Sequence, residues 1–215
     1  MQPRRAPHLR GPLDPHEGGG LLQSSARRVI VGYALLASLA AGLALAFRDD
    51  PPWSHPTPWW TLEPVEALVV SGATGTVLAL LLVALTRVAV RRVQWARQLH
   101  VELRPLAHGL SLANIVWIAG LSSLGEELFF RGLLQPWLGL LPAAVLFGAA
   151  HQVPGPSRWV WVCWALAVGL LFGAVFAGTG SLLGPLIAHA VVNAVNLAYL
   201  RDHDPLAEPQ QPAGG

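Results

Sequence analysis

Two long apolar runs without a charged residue restrict this chain to a fold that crosses a lipid bilayer. Residues 29–47 and 67–86 contain no Asp, Glu, Lys or Arg. As an α-helix the first run would extend about 28 Å, close to the roughly 30 Å hydrocarbon core. Over the whole chain 53% of residues are hydrophobic, 12% are charged, and the mean hydropathy is +0.47. We therefore predict an all-α, polytopic transmembrane helical bundle.

Charge and cysteine content exclude other classes of protein. The formal net charge is only +2, so the pI near 9.3 reflects scarce acidic residues rather than a basic surface. No Lys/Arg stripe with interleaved aromatic residues is present, and we expect no nucleic-acid partner. The single cysteine, Cys163, rules out a disulfide within the chain. Its apolar surroundings favour core packing over nucleophilic catalysis.

The chain divides into four segments. We predict a disordered basic tail (1–28), two transmembrane helices with a basic interfacial segment (29–108), a core that carries the polar motifs (109–200) and a polar tail (201–215). We expect about six spans, at 29–47, 67–86, 109–134, 143–152, 159–177 and 182–200. The fourth is short, so it either starts at Leu140 or stops partway through the bilayer. The segment 88–104 is predicted to be an amphipathic extension of the second helix.

The distribution of arginine predicts the orientation in the membrane. Six spans place both termini on one side, and the arginines cluster within 4–28 and 87–104 on that side. The positive-inside rule then makes both termini cytoplasmic. A signal peptide cleaved after Ala46 is the alternative for the first helix, although the long leader before it favours an uncleaved anchor.

Three charges fall inside one apolar helix. Between Pro105 and Ser157 the only formal charges are Glu126, Glu127 and Arg131. Each charge costs about 2.5–3.5 kcal/mol at membrane depth, so the cluster needs a cause. Glu127 and Arg131 are four residues apart and can pair on one face, whereas Glu126 is rotated by about 100° from Glu127. A structural ion pair would leave Glu126 without a purpose, which favours a functional acid.

Three further polar residues lie on other apolar helices. His151 follows Phe147 by four residues at the end of the fourth helix, and Asn193 follows His189 by four residues in the sixth. Taken singly, His151 fits an interfacial residue, and His189 and Asn193 fit hydrogen bonds between helices. Taken together with Glu126, they come from three helices with few other polar groups. This combination indicates a shared site.

The residue types in this set suit hydrolysis. A buried glutamate beside a histidine can deprotonate water, and His189 with Asn193 could donate hydrogen bonds to an oxyanion. The expected reaction is hydrolysis of an acyl bond without a covalent intermediate. Alternatively, Glu126, His151, His189 and Asn193 could bind Zn²⁺ with an open position for water. No H-E-x-x-H motif is present, so the choice between a metal-free site and a divalent metal stays open.

Three motifs resemble those of the CPBP family, which comprises CAAX prenyl proteases and bacteriocin-processing enzymes and is also called the Abi family. The first motif reads EELFFR and contains Glu126, the second reads FGAAH and ends at His151, and the third reads HAVVN and begins at His189. They occur in the family's order on successive apolar segments between residues 120 and 200. Residues 1–108 carry no comparable signal.

The resemblance implies a helical membrane fold with a polar intramembrane cavity and endopeptidase activity. It implies that Glu126 is the water-activating base and His151 its partner, while His189 and Asn193 form the oxyanion or metal group. Glu127, Arg131 and Phe147 would support them. Members have been described both as metalloproteases and as glutamate proteases, so the resemblance leaves the cofactor undecided. The partners we expect are membrane lipid and a peptide or membrane-protein substrate.

Two other functions remain compatible with the same polar cluster. In a small transporter or channel subunit, the intramembrane acid, Arg and His residues would line a proton or ion path. In a non-catalytic membrane scaffold, they would join helices. Substitution of Glu126 by Gln separates these functions from a protease, because only a protease would lose peptide cleavage.

Overall fold

A computed structural model describes residues 15–207, and the side chains from residue 25 to residue 207. Within this range the chain is helical apart from short connections and one isolated bridge between Ser54 and Ser181. The helices are α1 (Pro15–Phe47), α2 (Pro64–Arg92), α3 (Gln94–Ala107), α4 (Leu112–Glu126), a π-helical segment (Glu127–Leu134), α5 (Gln135–Leu138), α6 (Leu140–Ala150), α7 (Arg158–Thr179) and α8 (Leu183–Asp202).

The predicted polytopic helical bundle is confirmed, but the expected count of about six spans is not. Among the described residues, four helices are long and apolar enough to cross a membrane: α1 from Ser25, α2, α7 and α8. A fifth span results only if α3 and the continuous helix Leu112–Leu138, which bend by 108° at their junction, are counted as one. The predicted fourth span is α6, which has 11 residues and reaches only about 16 Å. The cytoplasmic placement of the termini stays a prediction.

Two predicted boundaries need correction. Residues 15–28 are helical rather than part of a disordered tail, and residues 1–14 lie outside the described part. No proline follows Pro15 in this stretch, so a helix already nucleated at 29–47 can extend through it, although Gly18, Gly19 and Gly20 disfavour the helix. The segment 88–104 is not one extension of the second helix, because α2 ends at Arg92 and the extended backbone of Val93 separates it from α3. The amphipathic character of α3 is as expected, since it buries Ala96, Leu99, His100, Leu103 and Ala107 on one face.

Local sequence explains where the helices begin and end. Pro64 starts α2, and Glu63 and Glu66 complete a capping box around its first turn. Ser111 caps α4 by accepting a hydrogen bond from the Asn114 amide at 3.1 Å. Gly180 ends α7 in the left-handed region, with φ of 76°, which a side chain would disfavour. These signals fix one end of each of these three helices, of which α4 carries Glu126.

Helix α8 is placed by close packing against α2 and α4. A Cβ at Gly75 of α2 would overlap the backbone of Gly184 at the start of α8. Ser71 Oγ donates to the Ser181 carbonyl at 2.9 Å and accepts from the Gly184 amide at 2.9 Å. Small residues and a buried hydroxyl thus let the two backbones approach closely, as is usual between transmembrane helices. Helix α1 packs on α4 and the π-helical segment, and α6 packs on α7.

The π-helical segment is a feature that the sequence analysis missed. The prediction was an uninterrupted α-helix through residues 109–134, whereas the winding changes at Glu127 and returns to α-helical at Gln135. π-helical turns are rare and occur frequently at functional sites. The segment begins within the EELFFR motif, so the wider winding sets the directions of Glu127 and Arg131 relative to Glu126.

Candidate active site

Glu127, Arg131 and His189 form a buried charged network. Glu127 is fully buried, and Arg131 and His189 are 2% and 4% exposed. Glu127 Oε1 accepts from Arg131 Nη1 at 2.9 Å and from His189 Nδ1 at 2.7 Å. Arg131 Nη2 also donates to the Gly169 carbonyl on α7 at 3.2 Å. The predicted Glu127–Arg131 pair is therefore present, and it additionally orients the imidazole of His189.

His151 is held by the end of its own helix. It is the C-cap residue of α6, and its Nδ1 lies 2.7 Å from the Phe147 carbonyl oxygen. A carbonyl can only accept, so Nδ1 carries the proton and Nε2 is left toward the site. The ring of Phe147 lies 4.4 Å from the His151 ring and 4.3 Å from the Arg131 guanidinium. Phe147 therefore separates the charged network from His151 and packs against both.

Glu126 lies where the two imidazoles converge. Its Oε2 is 3.6 Å from His151 Nε2 and 3.8 Å from His189 Nε2. These separations are too long for direct hydrogen bonds. Among the described residues Oε2 has no hydrogen-bond partner, although it is buried. The rotation of Glu126 away from Glu127 is thus as predicted, and it directs this acid toward His151.

Asn193 extends the site by one helical turn along α8. Its Nδ2 donates to Ser122 Oγ on α4 at 3.1 Å. Ser122 precedes Glu126 by four residues, and Asn193 follows His189 by four residues. The antiparallel helices α4 and α8 therefore meet through two successive polar pairs, Ser122 with Asn193 and Glu126 with His189. The structure brings together all four residues proposed from the sequence.

The early end of α6 determines how the site can be reached. After Ala150 the chain continues without helix to Ser157, whose amide donates to Glu102 on α3 at 3.1 Å. The His151 side chain is 21% exposed, compared with 11% for Glu126 and 6% for His189. A cavity of about 540 Å³ lies directly beyond His151, lined by Gln152, Val153, Pro154, Gly155, Pro156, Arg158 and Trp159. Of these three side chains, His151 is therefore the most exposed and the one next to the cavity along the chain.

The same residues carry donor atoms that a metal ion could use. Both imidazoles use Nδ1 as a donor and present Nε2 toward Glu126, which is the ligand chemistry that Zn²⁺ accepts. However, no group of three or more His, Cys, Asp or Glu residues is arranged to hold a metal ion within residues 15–207. The side-chain positions do not fit a bound metal as they stand. The steps proposed below accordingly use protein groups and water alone.

Two residues of the site were missed by the sequence analysis. Ser122 and Glu126 are four residues apart, as are His189 and Asn193. This equal spacing on two helices could have indicated Ser122 as a partner of Asn193. Tyr33 of α1 interacts through its hydroxyl with the Glu126 carboxyl group. It lies within residues 1–108, where no motif was recognised. A single tyrosine in an apolar helix gives no signal of a contact that depends on tertiary packing.

The fold and the polar cluster together define a polytopic helical membrane protein with a buried glutamate–histidine centre. Residues 108–195 match the family model described as type II CAAX prenyl endopeptidase Rce1-like, in agreement with the resemblance that the three motifs indicated. The chain is also 33% identical over 91 residues to the protein YpbD of Bacillus subtilis (strain 168). That match covers 42% of this chain and 48% of YpbD, so the chain spans about half the length of the curated relative. No solved structure matches the chain.

Proposed function

We propose that this protein is an intramembrane endopeptidase in which Glu126 activates water for attack on a peptide bond. The observation that carries the proposal is the convergence at Glu126 Oε2, a buried carboxylate oxygen without a hydrogen-bond partner that faces two imidazole Nε2 atoms at 3.6 and 3.8 Å. A water molecule between these three atoms could donate its two hydrogens to Glu126 Oε2 and His151 Nε2, and it could accept from His189 Nε2 when that ring is an imidazolium. The family of residues 108–195 supports the same reaction class.

The chemical steps use Glu126 as base and then as acid. Glu126 takes one proton from water as the water oxygen bonds to the carbonyl carbon and the carbonyl electrons move to its oxygen. When the tetrahedral intermediate collapses, the carbonyl reforms, the C–N bond breaks and Glu126 returns the proton to the leaving nitrogen. His151 Nε2 is unprotonated in the neutral ring, so it accepts a hydrogen bond from the second hydrogen of the water without taking the proton. This hydrogen bond orients the lone pair of the water oxygen toward the carbonyl carbon.

The negative oxygen of the intermediate is stabilised from α8. Asn193 Nδ2 has two hydrogens and donates one to Ser122 Oγ. The second can be donated to the oxyanion at any pH. His189 donates its Nδ1 hydrogen to Glu127, so its Nε2 can donate only in the imidazolium form. Asn193 is therefore assigned as the constant donor and His189 as a donor that depends on protonation.

The substrate is a peptide or a segment of a membrane protein that reaches the site from the cavity beyond His151. The backbone between His151 and Ser157 is not helical, so an extended segment can lie beside it. Members of the matched family are described as CAAX prenyl endopeptidases, and a prenylated C-terminal peptide is one substrate class to test. An unmodified transmembrane peptide is the other.

The test compares the purified wild type with Glu126→Gln in detergent, using both peptide classes. Glu126→Gln keeps the shape of the side chain but cannot take a proton, so turnover should fall at least about 100-fold with the folded state intact. Glu66→Gln is the matched control, because glutamine also completes a capping box and Glu66 is exposed at the start of α2. Cleavage by Glu126→Gln at the wild-type rate would refute the proposal.

A second arm addresses the divalent metal. The wild type is assayed after extensive chelation, and its metal content is measured. Retained turnover at vanishing metal content supports water activation by Glu126 alone. Loss of turnover that returns with added Zn²⁺ would replace that mechanism with a metal-bound water, and the four proposed residues would then be its ligands.

A further inference from the structure

The first transmembrane helix presents one narrow face to the site. Ala37, Ala40 and Ala44 of α1 are 7%, 0% and 0% exposed and recur at three- and four-residue spacing. Ala37 and Ala40 pack against Leu128 of the π-helical segment, together with Phe176 and Leu182. Small residues on this face let α1 approach the motif-bearing helix closely.

Tyr33 lies one turn before Ala37 on the same face of α1 and is a polar residue on that face. It lies four residues before Ala37 and is partly buried, whereas Val31 and Leu35 on either side of it are exposed. A tyrosine hydroxyl inside an apolar bundle requires a hydrogen-bond partner. Its hydroxyl interacts with the Glu126 carboxyl group, on a helix that is remote in sequence.

Gly125 explains why this contact is possible. A Cβ at Gly125 would lie 3.0 Å from the Tyr33 carbonyl oxygen and 3.4 Å from the Ala37 amide nitrogen. The backbones of α1 and α4 therefore touch at the residue next to Glu126. Without a side chain at Gly125, α1 comes near enough for the Tyr33 side chain to interact with the Glu126 carboxyl group.

The Glu126 carboxyl group needs such a donor. Its contacts with His151 and His189 exceed hydrogen-bond length, and Oε2 has no hydrogen-bond partner among the described residues. An unrestrained carboxylate would sample several rotamers, and only some direct an oxygen between the imidazoles. A hydroxyl on the α1 side would fix the carboxyl group and leave Oε2 to water.

We propose that Tyr33 is a positioning residue of the endopeptidase site, whose hydroxyl donates to Glu126 and holds its Oε2 toward His151 and His189. This inference rests on the proposed function. It assigns to α1, outside the region 108–195 that matches the family, a direct part in the geometry of the base. Tyr33 does not contact the peptide bond, so its effect should appear in turnover rather than in substrate binding.

The test is Tyr33→Phe, with Tyr199→Phe as the matched control. The chain has two tyrosines, and the Tyr199 ring packs under Arg87 near the end of α8, away from the site. Hydrogen bonds to a charged group correspond to about 10- to 100-fold in rate, so kcat of Tyr33→Phe should fall by that factor. KM and the thermal midpoint should stay near the wild-type values, and Tyr199→Phe should keep wild-type kcat.

The outcomes separate this inference from the proposed function. If Glu126→Gln is inactive while Tyr33→Phe keeps wild-type kcat, the endopeptidase stands and the positioning role is refuted. An equal loss in Tyr33→Phe and Tyr199→Phe, or a loss that appears as a raised KM or a lowered thermal midpoint, would show a structural hydroxyl and also overturns the inference. Unimpaired cleavage by Glu126→Gln would refute the proposed function itself.

Discussion

Removing Arg131 tests whether the buried network stabilises the fold. In Arg131→Met the side-chain length is nearly kept, but Glu127 loses the 2.9 Å partner of its Oε1. Glu127 is fully buried, so water cannot replace the lost guanidinium. Breaking one member of a buried ion pair typically costs about 3–5 kcal/mol. The Gly169 carbonyl also loses a donor, so the upper half of this range is expected.

The assay is thermal unfolding in detergent, followed by tryptophan fluorescence. For a chain of this size, 1 kcal/mol shifts the midpoint by roughly 2–4 °C, so a loss of about 4–5 kcal/mol in Arg131→Met should lower it by roughly 8–20 °C. The double variant Glu127→Gln/Arg131→Met removes both charges together. It should be less destabilised than the sum of the two single variants, because the unpaired charge is gone.

Two results would contradict this account. An unchanged midpoint in Arg131→Met would mean that Glu127 finds another partner or is not buried in solution. A double variant whose loss equals the sum of the single losses would mean that the two side chains are energetically independent. Arg158→Met is the control, since Arg158 contacts the exposed Trp159 ring and should shift the midpoint by no more than a degree or two.

Three further variants probe other parts of the molecule. Gly75→Ala should cost about 1–3 kcal/mol in unfolding experiments, because its Cβ would overlap the Gly184 backbone, whereas Gly120→Ala meets no atom within 4 Å and should be neutral or stabilising. Burial, and secondarily Arg48, lowers the pKa of His55 below its ordinary value of 6.5. The unfolded chain then binds more protons than the folded one, so the free energy of unfolding should be highest above pH 6.5 and should fall as the pH drops below 6.5. Thermal unfolding at pH 7.5 and 5.5 measures this loss, which should be smaller in His55→Gln. Asn193→Ala should lower kcat by about 100-fold with little change in KM, and an unchanged kcat would remove it from the oxyanion site.

The sequence sufficed for the parts of the fold that depend on local composition. The charge-free runs predicted the helical membrane class, and the isolated charges predicted that Glu126, Glu127 and Arg131 lie in an apolar helix, as the structure has them. The short fourth helix was also predicted, and a start at Leu140 was one of the two alternatives given for it. These inferences hold because a charge or a break in an apolar run has a large cost wherever it occurs in a membrane.

Features that depend on tertiary packing could not be predicted from the sequence. The π-helical winding after Glu126 and the contact with Tyr33 depend on how neighbouring helices meet, which no periodicity of the single helix encodes. The span count was overestimated for a related reason: α6 has the composition of a span but only half its length. The hydrogen bond between His189 and Glu127 was also unforeseen, because the i,i+4 rule considers partners on one helix only.

The early end of α6 has a consequence for hydration. Lipid offers no hydrogen bonds, so amide and carbonyl groups released from a helix at membrane depth need other partners. Ser157 finds one in Glu102, but the intervening residues turn through two prolines and a glycine that cannot rebuild a helical ladder. The backbone N–H and C=O groups of this segment can therefore form hydrogen bonds with water, as the lining of a polar pore does. If the proposed endopeptidase function holds, an incoming peptide would pair with the same backbone groups, so the unwound segment would both hydrate the pocket and bind the substrate.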